Sequence, residues 1–172
     1  AMVMKRVEGT SWSDIIAAPE RTERSTVRDR LEWHIRVLIK VCNAVSFAHS
    51  RGVLHLDLKP ANVMVGEFGE VYVLHWGLPA ASSEDGPEWL GKASDIRGVS
   101  GTPSYMAPEL AMAEAHRVDE RTDVYLLGAV LHLVLTGKAP HRAVNLMGRL
   151  YRAFTSEPAS YPDEIPRELA EI

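Results

Sequence analysis

Residues 55–62 read His-Leu-Asp-Leu-Lys-Pro-Ala-Asn, and this stretch decides the interpretation of the whole chain. It follows the clearest predicted helix, residues 27–49, in which apolar residues recur at steps of three and four. Arg51-Gly52 is a typical signal for the end of such a helix. After the stretch, apolar runs at 62–65 and 70–74 flank a Gly-Glu-Phe-Gly turn and predict a β-hairpin. We therefore expect residues 55–62 to form a loop between a helix and a hairpin.

This loop combines three side chains that phosphoryl transfer requires. Asp57 offers a carboxylate for an attacking hydroxyl, Lys59 a cation for a phosphate, and Asn62 an oxygen ligand for a metal ion. The alternative is an Asx-type turn followed by a solvated lysine, which accounts for many Asp-x-Lys triplets in loops. Further motifs in a consistent order along the chain favour the chemical interpretation.

The composition indicates a soluble protein with one domain. The 172 residues are 46% hydrophobic and 24% charged, which is enough for one full core. Nineteen Lys and Arg against 23 Asp and Glu give a net charge of −4, which argues against nucleic acid or an anionic membrane as the partner. The single cysteine, Cys42, excludes an internal disulfide and favours a reducing, cytoplasmic location. We expect no signal peptide and no membrane segment, because the longest apolar stretch, 124–135, is too short to span a bilayer.

The remaining pattern predicts a mainly α-helical fold with one small β-hairpin. Residues 2–7 favour a short strand, and residues 14–18 favour a short helix capped by Ser11 or Ser13. Residues 77–106 have little apolar periodicity, which is typical of functional or disordered segments. Further helices are predicted over residues 108–115, 119–136, 145–154 and 166–172.

Four motifs, in order, resemble the eukaryotic-type (Hanks) Ser/Thr protein kinases, in particular their bacterial branch. Residues 55–62 match the catalytic loop H-R-D-L-K-x-x-N with Leu56 in place of Arg, and His75-Trp76-Gly77 stands where D-F-G belongs. Residues 101–109, Gly-Thr-Pro-Ser-Tyr-Met-Ala-Pro-Glu, match the end of the activation segment with its A-P-E. Residues 123–128 match the start of the large buried helix. The resemblance covers nearly the entire chain.

The resemblance implies one protein-kinase-like domain over residues 1–172. Its parts would be a hinge strand at residues 1–9 and the catalytic loop with the metal motif at residues 53–77. The activation segment would follow at residues 78–109, and a buried central helix at residues 119–137. No Gly-rich loop and no V-A-I-K-type lysine precede Met4, so we expect a C-terminal lobe from which the N-terminal lobe is absent. Without that lobe, an apolar cleft floor around Met4, Met64 and Trp76 would be exposed and would favour self-association.

The resemblance also implies roles for individual residues. Asp57 would be the catalytic base, and Lys59 would contact the γ-phosphate. Thr102 would form hydrogen bonds near both and favour serine or threonine as the acceptor. Asp123 would hold the backbone of the catalytic loop, and Glu109 would be the structural glutamate of A-P-E.

ATP and Mg²⁺ are the cofactors that the resemblance implies. Met64 would form the apolar floor beneath adenine, with Met4 and Val7 in the strand and hinge beside it. Asn62 would ligate the metal ion, and His75 occupies the second metal position, where the family has Asp.

His75 is the more consequential of two departures from the family pattern. Mg²⁺ prefers oxygen ligands, whereas imidazole suits softer metals, so we expect phosphoryl transfer to be slower by ~10²-fold or more. The alternative is that His75 is a polar packing residue, and this alternative also predicts impaired catalysis. Leu56 removes the arginine that pairs with a phosphorylated activation-loop residue in this family.

Three functions remain open at this point. The first is a pseudokinase-like domain that transfers phosphate poorly and acts in signalling by binding or regulating a protein partner. The second is the C-terminal lobe of an active, ATP-dependent Ser/Thr kinase with a protein substrate. The third is a structural fragment that folds only by pairing with another copy. The 172 residues alone are expected to transfer no phosphate.

Overall fold

Helices dominate the part of the chain that the computed structural model describes, which comprises residues 7–18, 27–76, 79–82, 87–162 and 165–170. The helices are α1 (Trp12–Ala17), α2 (Val27–His49), α3 (Pro108–Ala111), α4 (Glu120–Thr136), α5 (Leu146–Thr155) and α6 (Arg167–Ala170). The strands are β1 (Thr10–Ser11), β2 (Val53–Leu54), β3 (Val63–Val65), β4 (Val71–Val73) and β5 (Ala80–Ala81). The prediction of a mainly helical fold with a small hairpin is confirmed.

The long helix α2 has the bounds that its apolar periodicity predicts. Val37, Leu38, Val41 and Val45 are buried on one face, because residues three and four apart lie on the same side of a helix. This face packs against α4 and β4. The helix thus lines one side of the core. From its C-terminal end the chain continues to the loop at 55–62.

The predicted hairpin is present, and a third strand extends it. β3 and β4 pair antiparallel, with Val63 opposite Val73. β1 pairs with the other edge of β3, so that Thr10 lies opposite Val65. Gly9, at φ 148°, allows this approach, since a Cβ there would lie 2.4 Å from the carbonyl oxygen of Val65. A two-residue strand is too short to show alternation, which is why the sequence did not predict it.

The helix α4 is fixed at both ends by local signals that the sequence contains. The Asp119 carboxylate accepts a hydrogen bond from the backbone N–H of Arg121 and caps the first turn. At the other end Gly137 adopts φ 69° and donates its N–H to the carbonyl of Leu133. The prediction of a helix over 119–136 therefore holds, with Asp119 as the cap.

Shorter elements differ from their predictions. The helix expected at 108–115 ends at Ala111, because Ala113 has φ 55° and a 3₁₀ turn, Ala115–Arg117, follows. The helix α1 begins two residues early, and the hydroxyl of Ser11 bonds to that of Ser13 rather than to the helix backbone. The strand expected at 2–7 lies outside the described residues except for Val7, which belongs to no strand.

Residues 77–106 contain more regular structure than their polarity predicts. The strand β5 pairs antiparallel with β2, and a 3₁₀ turn, Ala93–Asp95, packs beside it. Residues 77–78 and 83–86 of this segment lie outside the described part. The described residues of this segment that are buried are Ala80, Ala81, Ala93 and Met106, and the three small alanine side chains carry little periodic signal.

Two hydrophobic cores meet at the loop 55–62. Leu58 is buried in the core formed by α2, α4 and the hairpin, which includes Val41 and Val130. Leu56 is buried in a second core with Met106 and other residues of the segment before α3. The loop is thus anchored on both sides by burial of apolar side chains. Among the described helices, none is both long and apolar enough to cross a membrane.

Candidate active site

The loop 55–62 is held by hydrogen bonds to a buried carboxylate on α4. Asp123 is fully buried, and its two oxygens accept hydrogen bonds from the backbone N–H groups of His55 and Leu56, both at 2.8 Å. The imidazole Nε2 of His49, at the end of α2, lies 2.8 Å from the same carboxylate. Three donors compensate the burial of this charge, which would otherwise be very costly.

Leu56 carries the backbone strain that shapes the loop. Its φ is 65°, in the left-handed region that leucine rarely adopts. Burial of its side chain and the hydrogen bond from its N–H to Asp123 hold it there. Gly101 crosses closely at this point, because a Cβ on it would lie 3.1 Å from the carbonyl oxygen of Leu56. This approach brings the segment that contains Thr102 against the loop.

Asp57, Lys59 and Thr102 form a closed triangle of hydrogen bonds. The ammonium of Lys59 donates to Asp57 Oδ2 at 2.7 Å and to Thr102 Oγ1 at 2.6 Å. The hydroxyl of Thr102 donates to Asp57 Oδ1 at 2.6 Å. The side chains of Asp57 and Lys59 keep a small exposed fraction, 17% and 23%, so a substrate can reach the carboxylate and the cation.

Asn62 also helps to orient the carboxylate of Asp57. Its side-chain amide donates to the backbone carbonyl of Asp57 at 2.8 Å and to Oδ2 of the same residue at 3.2 Å. Asn62 is buried, and its amide oxygen accepts no hydrogen bond from the described residues. The structure therefore brings together four predicted site residues, Asp57, Lys59, Asn62 and Thr102.

His55 has a supporting position that sequence reasoning did not assign. Its Nε2–H donates to the carbonyl of Leu74 at 3.0 Å, and its Nδ1 accepts from the N–H of Asp57 at 3.3 Å. Burial lowers the pKa of this imidazole below its usual 6.5, in agreement with the neutral tautomer that this bonding requires. Its ring also packs against Trp76, with the ring centroids 4.6 Å apart. His55 thus links the loop to the hairpin and to the residue after His75.

Similarity to known proteins places this geometry in a family. A family model described as "Protein kinase domain" matches residues 1–168. The chain belongs to the bacterial, eukaryotic-type Ser/Thr protein kinase family. It is 40% identical over 155 residues to Serine/threonine-protein kinase PknD of Protochlamydia amoebophila, which covers 81% of this chain and 16% of that protein. It is 33% identical over 157 residues to Serine/threonine-protein kinase PknB of Mycobacterium tuberculosis, which covers 91% of this chain and 23% of that protein. The chain thus spans less than a quarter of the length of these relatives.

His75 stands at the position where the sequence predicts a metal site, and there the resemblance leads us to expect a carboxylate. The residue has φ 60° and an exposed side chain that forms no hydrogen bond or ion pair with any described residue. Mg²⁺ requires several oxygen ligands in near-octahedral geometry, and Asn62 offers one free amide oxygen. In the described ranges, no three His, Cys, Asp or Glu side chains lie together so as to hold a metal ion. The residues present do not fit Mg²⁺.

The residues expected to contact adenine are only partly within the described part of the chain. Met4 lies outside the described residues, Val7 is half-buried, and Met64 on β3 lies opposite Ser11 and Tyr72. An apolar groove of about 560 Å³ opens between the end of α2 and β4. Residues along this groove include Phe47, Val71, Val73, Trp76 and Trp89.

Glu109 of the A-P-E motif has a partner that the sequence did not indicate. Its Oε1 accepts a hydrogen bond from the hydroxyl of Thr122 at 2.5 Å. Thr122 is fully buried in the first turn of α4, directly before Asp123. The end of the activation segment is therefore attached to the same helical turn that carries the loop.

Proposed function

We propose that this chain is the C-terminal-lobe part of a Ser/Thr protein-kinase-like domain that transfers phosphate poorly. It acts in cytoplasmic signalling by binding or regulating a protein partner. The observation that carries the proposal is His75, whose exposed imidazole stands where an active kinase has its metal-binding carboxylate. A kinase stabilises the charge on the transferred phosphoryl group mainly through metal ions and positioned cations, so the loss of one ligand directly affects the transition state.

The proposed roles of the other site residues follow from their bonding. Asp57 accepts the proton of an acceptor hydroxyl, and the hydrogen bonds from Thr102 and Asn62 hold its carboxylate in one orientation. Lys59 holds a positive charge beside that carboxylate, where it would attract a phosphate oxygen. Thr102 restricts the access of an acceptor side chain to Asp57 and so favours serine or threonine as the acceptor. Asp123 positions the loop without contacting a substrate, and Glu109 positions the activation segment.

Nucleotide binding is proposed for the same domain, with weak dependence on Mg²⁺. Met64, Val7 and Met4 are the proposed adenine contacts. ATP would supply the phosphoryl group, and the retained cation, Lys59, would still attract its phosphates. Because the metal position lacks a second oxygen ligand, we expect Mg²⁺ to strengthen ATP binding by less than about 10-fold.

The test is phosphate incorporation by the full-length protein with Mg²⁺ and labelled ATP. We expect the wild-type protein to incorporate phosphate only slowly, close to the background level of Asp57→Ala, in which the proposed base is removed. Thermal unfolding of both proteins shows that they are folded. Rapid incorporation by the wild-type protein that Asp57→Ala abolishes would contradict the proposal and support the second candidate below.

The second candidate is the C-terminal lobe of an active Ser/Thr kinase. It is supported by the intact triangle of Asp57, Lys59 and Thr102, with all three hydrogen bonds between 2.6 and 2.7 Å. The assay above separates the two candidates. Under either candidate function, we expect the 172 residues alone to transfer no phosphate. Asp57-dependent incorporation of phosphate by this 172-residue protein would contradict that expectation.

Self-association through the exposed cleft face is a further part of the proposal. Trp76 is partly exposed on this face, beside the apolar groove described above. Apolar surface of this kind favours association with another protein surface. Sedimentation of the wild-type protein and of Trp76→Ala tests this part, because a dimer that depends on Trp76 is the expected result and a monomer would contradict it.

A further inference from the structure

A buried histidine between α4 and α5 holds the segment that contains Thr102. His141 is 5% exposed. Its backbone N–H donates to the carbonyl of Ser104 at 3.2 Å, and its Nε2–H donates to the carbonyl of Met106 at 3.1 Å. A carbonyl can only accept a hydrogen bond, so the hydrogen of the neutral imidazole lies on Nε2. His141 thus binds two carbonyls of the segment 101–109.

The contacts of His141 influence the candidate site through Met106 and Gly101. Met106 is fully buried in the second core. A Cβ on Gly101 would lie 3.9 Å from the terminal methyl group of Met106 and 3.8 Å from Oδ1 of Asp57. The position of Met106 therefore affects how closely Gly101, and Thr102 after it, approach Asp57.

The same imidazole belongs to a chain of hydrogen bonds that reaches the end of α5. The hydroxyl of Tyr125, on α4, lies 3.1 Å from Nε2 of His141 and 2.7 Å from Oγ of Ser156. Because Nε2 carries a hydrogen, the Tyr125 hydroxyl donates its own hydrogen to Ser156. Ser156 ends α5 with φ 42°, a strained conformation that persists only where surrounding contacts hold it. The hydrogen bonds therefore connect His141 to both helices.

The groups around His141 do not stabilise a positive charge on its ring. His132 on α4 and Arg152 on α5 both disfavour the protonated imidazole. Tyr125 is in direct contact with the ring and stays neutral, because burial raises the pKa of its hydroxyl. Between residues 124 and 156 the sequence contains no Asp or Glu, so α5 and the connection before it offer no carboxylate.

The carboxylates on the neighbouring elements have other partners or are exposed. On α3, Glu109 accepts a hydrogen bond from the hydroxyl of Thr122. In the first turn of α4, Asp123 accepts hydrogen bonds from two backbone N–H groups. Glu157, directly after α5, is exposed. His141 therefore forms no ion pair in the described part of the chain.

A second hydrogen on the imidazole would lack an acceptor. Nδ1 of His141 forms no hydrogen bond with any described residue. Protonation would place an uncompensated charge in the protein interior, which is costly. Burial lowers the pKa of this imidazole below its usual 6.5, although the hydrogen bond to the carbonyl of Met106 raises it.

We propose that neutral His141 is a positioning residue for the segment 101–109 and that its protonation releases this segment from the loop 55–62. In the released state the charged ring and the two carbonyls that it binds would be hydrated. The proposal deepens the proposed function and rests on it in one respect, because the released segment contains Thr102 of the same site. Binding of an acceptor or partner at that site would then weaken as the pH falls.

The expected dependence on pH follows from the two states of His141. In the released state the solvated ring takes up a proton at its ordinary pKa of about 6.5, whereas the held ring takes it up only at lower pH. Between these two values the released population rises by up to about 10-fold for each unit by which the pH falls. Above the ordinary pKa the population stays constant.

The test is hydrogen exchange of the full-length protein, measured by mass spectrometry at about pH 7.5 and about pH 5.5. Two amides report on the segment: that of Tyr105, which donates to the carbonyl of Thr102, and that of His141, which donates to the carbonyl of Ser104. After correction for the intrinsic effect of pH on exchange, we expect both to exchange about 10-fold faster at the lower pH. Neither ATP nor a partner is present, so the outcome is independent of the phosphate-incorporation result.

Two variants of His141 separate the hydrogen bond from the titration. His141→Gln retains an N–H donor for the carbonyl of Met106 but does not titrate, so we expect slow exchange at both pH values. His141→Ala lacks the donor and should exchange about 10-fold faster or more at both. The matched controls are His132→Gln and His55→Gln, which remove other imidazoles with lowered pKa values and should keep the rise at low pH. Thermal unfolding of each variant shows that it is folded.

Several results would overturn the proposal. Equal exchange of the wild-type protein at the two pH values would show that protonation does not release the segment. A rise at low pH that His141→Gln retains would assign the effect to another group. The tautomer is checked by nitrogen NMR on protein with isotopically labelled histidine, in which the signal missing from His141→Gln should show a hydrogen on Nε2. A hydrogen on Nδ1 instead would contradict the hydrogen bond to the carbonyl of Met106.

Discussion

The triangle around Asp57 and the position of His75 lie close together in the sequence but differ in how the protein supports them. Asp57 receives hydrogen bonds from Lys59, Thr102 and Asn62, which come from two segments of the chain. His75 is exposed and forms no hydrogen bond with the described residues. The proposed proton acceptor is thus held in place by three side chains, whereas the residue at the proposed metal position is held by no hydrogen bond from the described residues. Preorganised groups are what enzymes use for catalysis, so the difference predicts binding chemistry without efficient transfer.

The largest expected effect comes from removing the support beneath the triangle. Asp123→Ala leaves two backbone N–H groups and His49 without their buried partner, so we expect a loss of about 3–5 kcal/mol in the free energy of unfolding. Urea denaturation measures this loss. The neighbouring residue Val124 is exposed, and Val124→Ala should cost less than about 0.5 kcal/mol. Equal losses for the two variants would show that the carboxylate does not hold the loop.

A smaller loss is expected from the apolar anchor of the loop. Leu56→Ala removes a buried side chain from the second core and should lower the free energy of unfolding by about 2–4 kcal/mol. Leu56→Met keeps the volume and should cost less than about 1.5 kcal/mol. Chemical denaturation of both variants tests the expectation. A loss below about 0.5 kcal/mol for Leu56→Ala would mean that apolar packing does not hold the residue in its left-handed conformation.

The smallest effect is a dependence on pH that comes from the buried imidazole of His55. Its pKa is lowered in the folded protein by burial, so as the pH falls the unfolded chain takes up the proton first. This contribution to stability is complete above the ordinary pKa of about 6.5 and is lost as the pH falls below it. The slope from one histidine is at most about 1.4 kcal/mol per pH unit.

The measurement compares urea denaturation of wild type and His55→Gln at about pH 7.5 and about pH 5.5. Gln retains a donor for the carbonyl of Leu74 but does not titrate. Burial also lowers the pKa values of His132 and His141, and because both proteins contain these residues, the difference between the two profiles isolates His55. Parallel profiles would contradict a neutral, buried His55.

Local sequence signals predicted much of the fold but few of the contacts in the site. The bounds of α2 and α4 could be predicted, because periodicity, an Asp cap and a Gly stop are encoded by neighbouring residues. The strand β1 could not, because it exists through its pairing with β3. The hydrogen bond between Glu109 and Thr122 also depends on tertiary packing, for which the sequence carries no periodic signal.

In the candidate site, too, the sequence predicted the residues of a short motif but not the contacts that depend on tertiary packing. The motif predicted Asp57, Lys59 and Asn62 because their spacing is short and specific. Thr102 joined them through a resemblance, since 45 positions separate it from Asp57 along the chain. The neutral state of His55 could not be predicted, because it follows from burial and from two hydrogen bonds that only the folded chain provides.

The most direct test of the central claim is the rate of phosphate incorporation by the full-length protein and its His75→Asp variant. The variant adds an oxygen ligand at the metal position and leaves the triangle intact. We predict a gain of ~10²-fold or more, equivalent to about 2.7 kcal/mol in the activation free energy, and loss of that gain when Asp57→Ala is added. Equal rates for the two folded proteins, or a faster wild-type protein, would contradict the claim that His75 limits transfer.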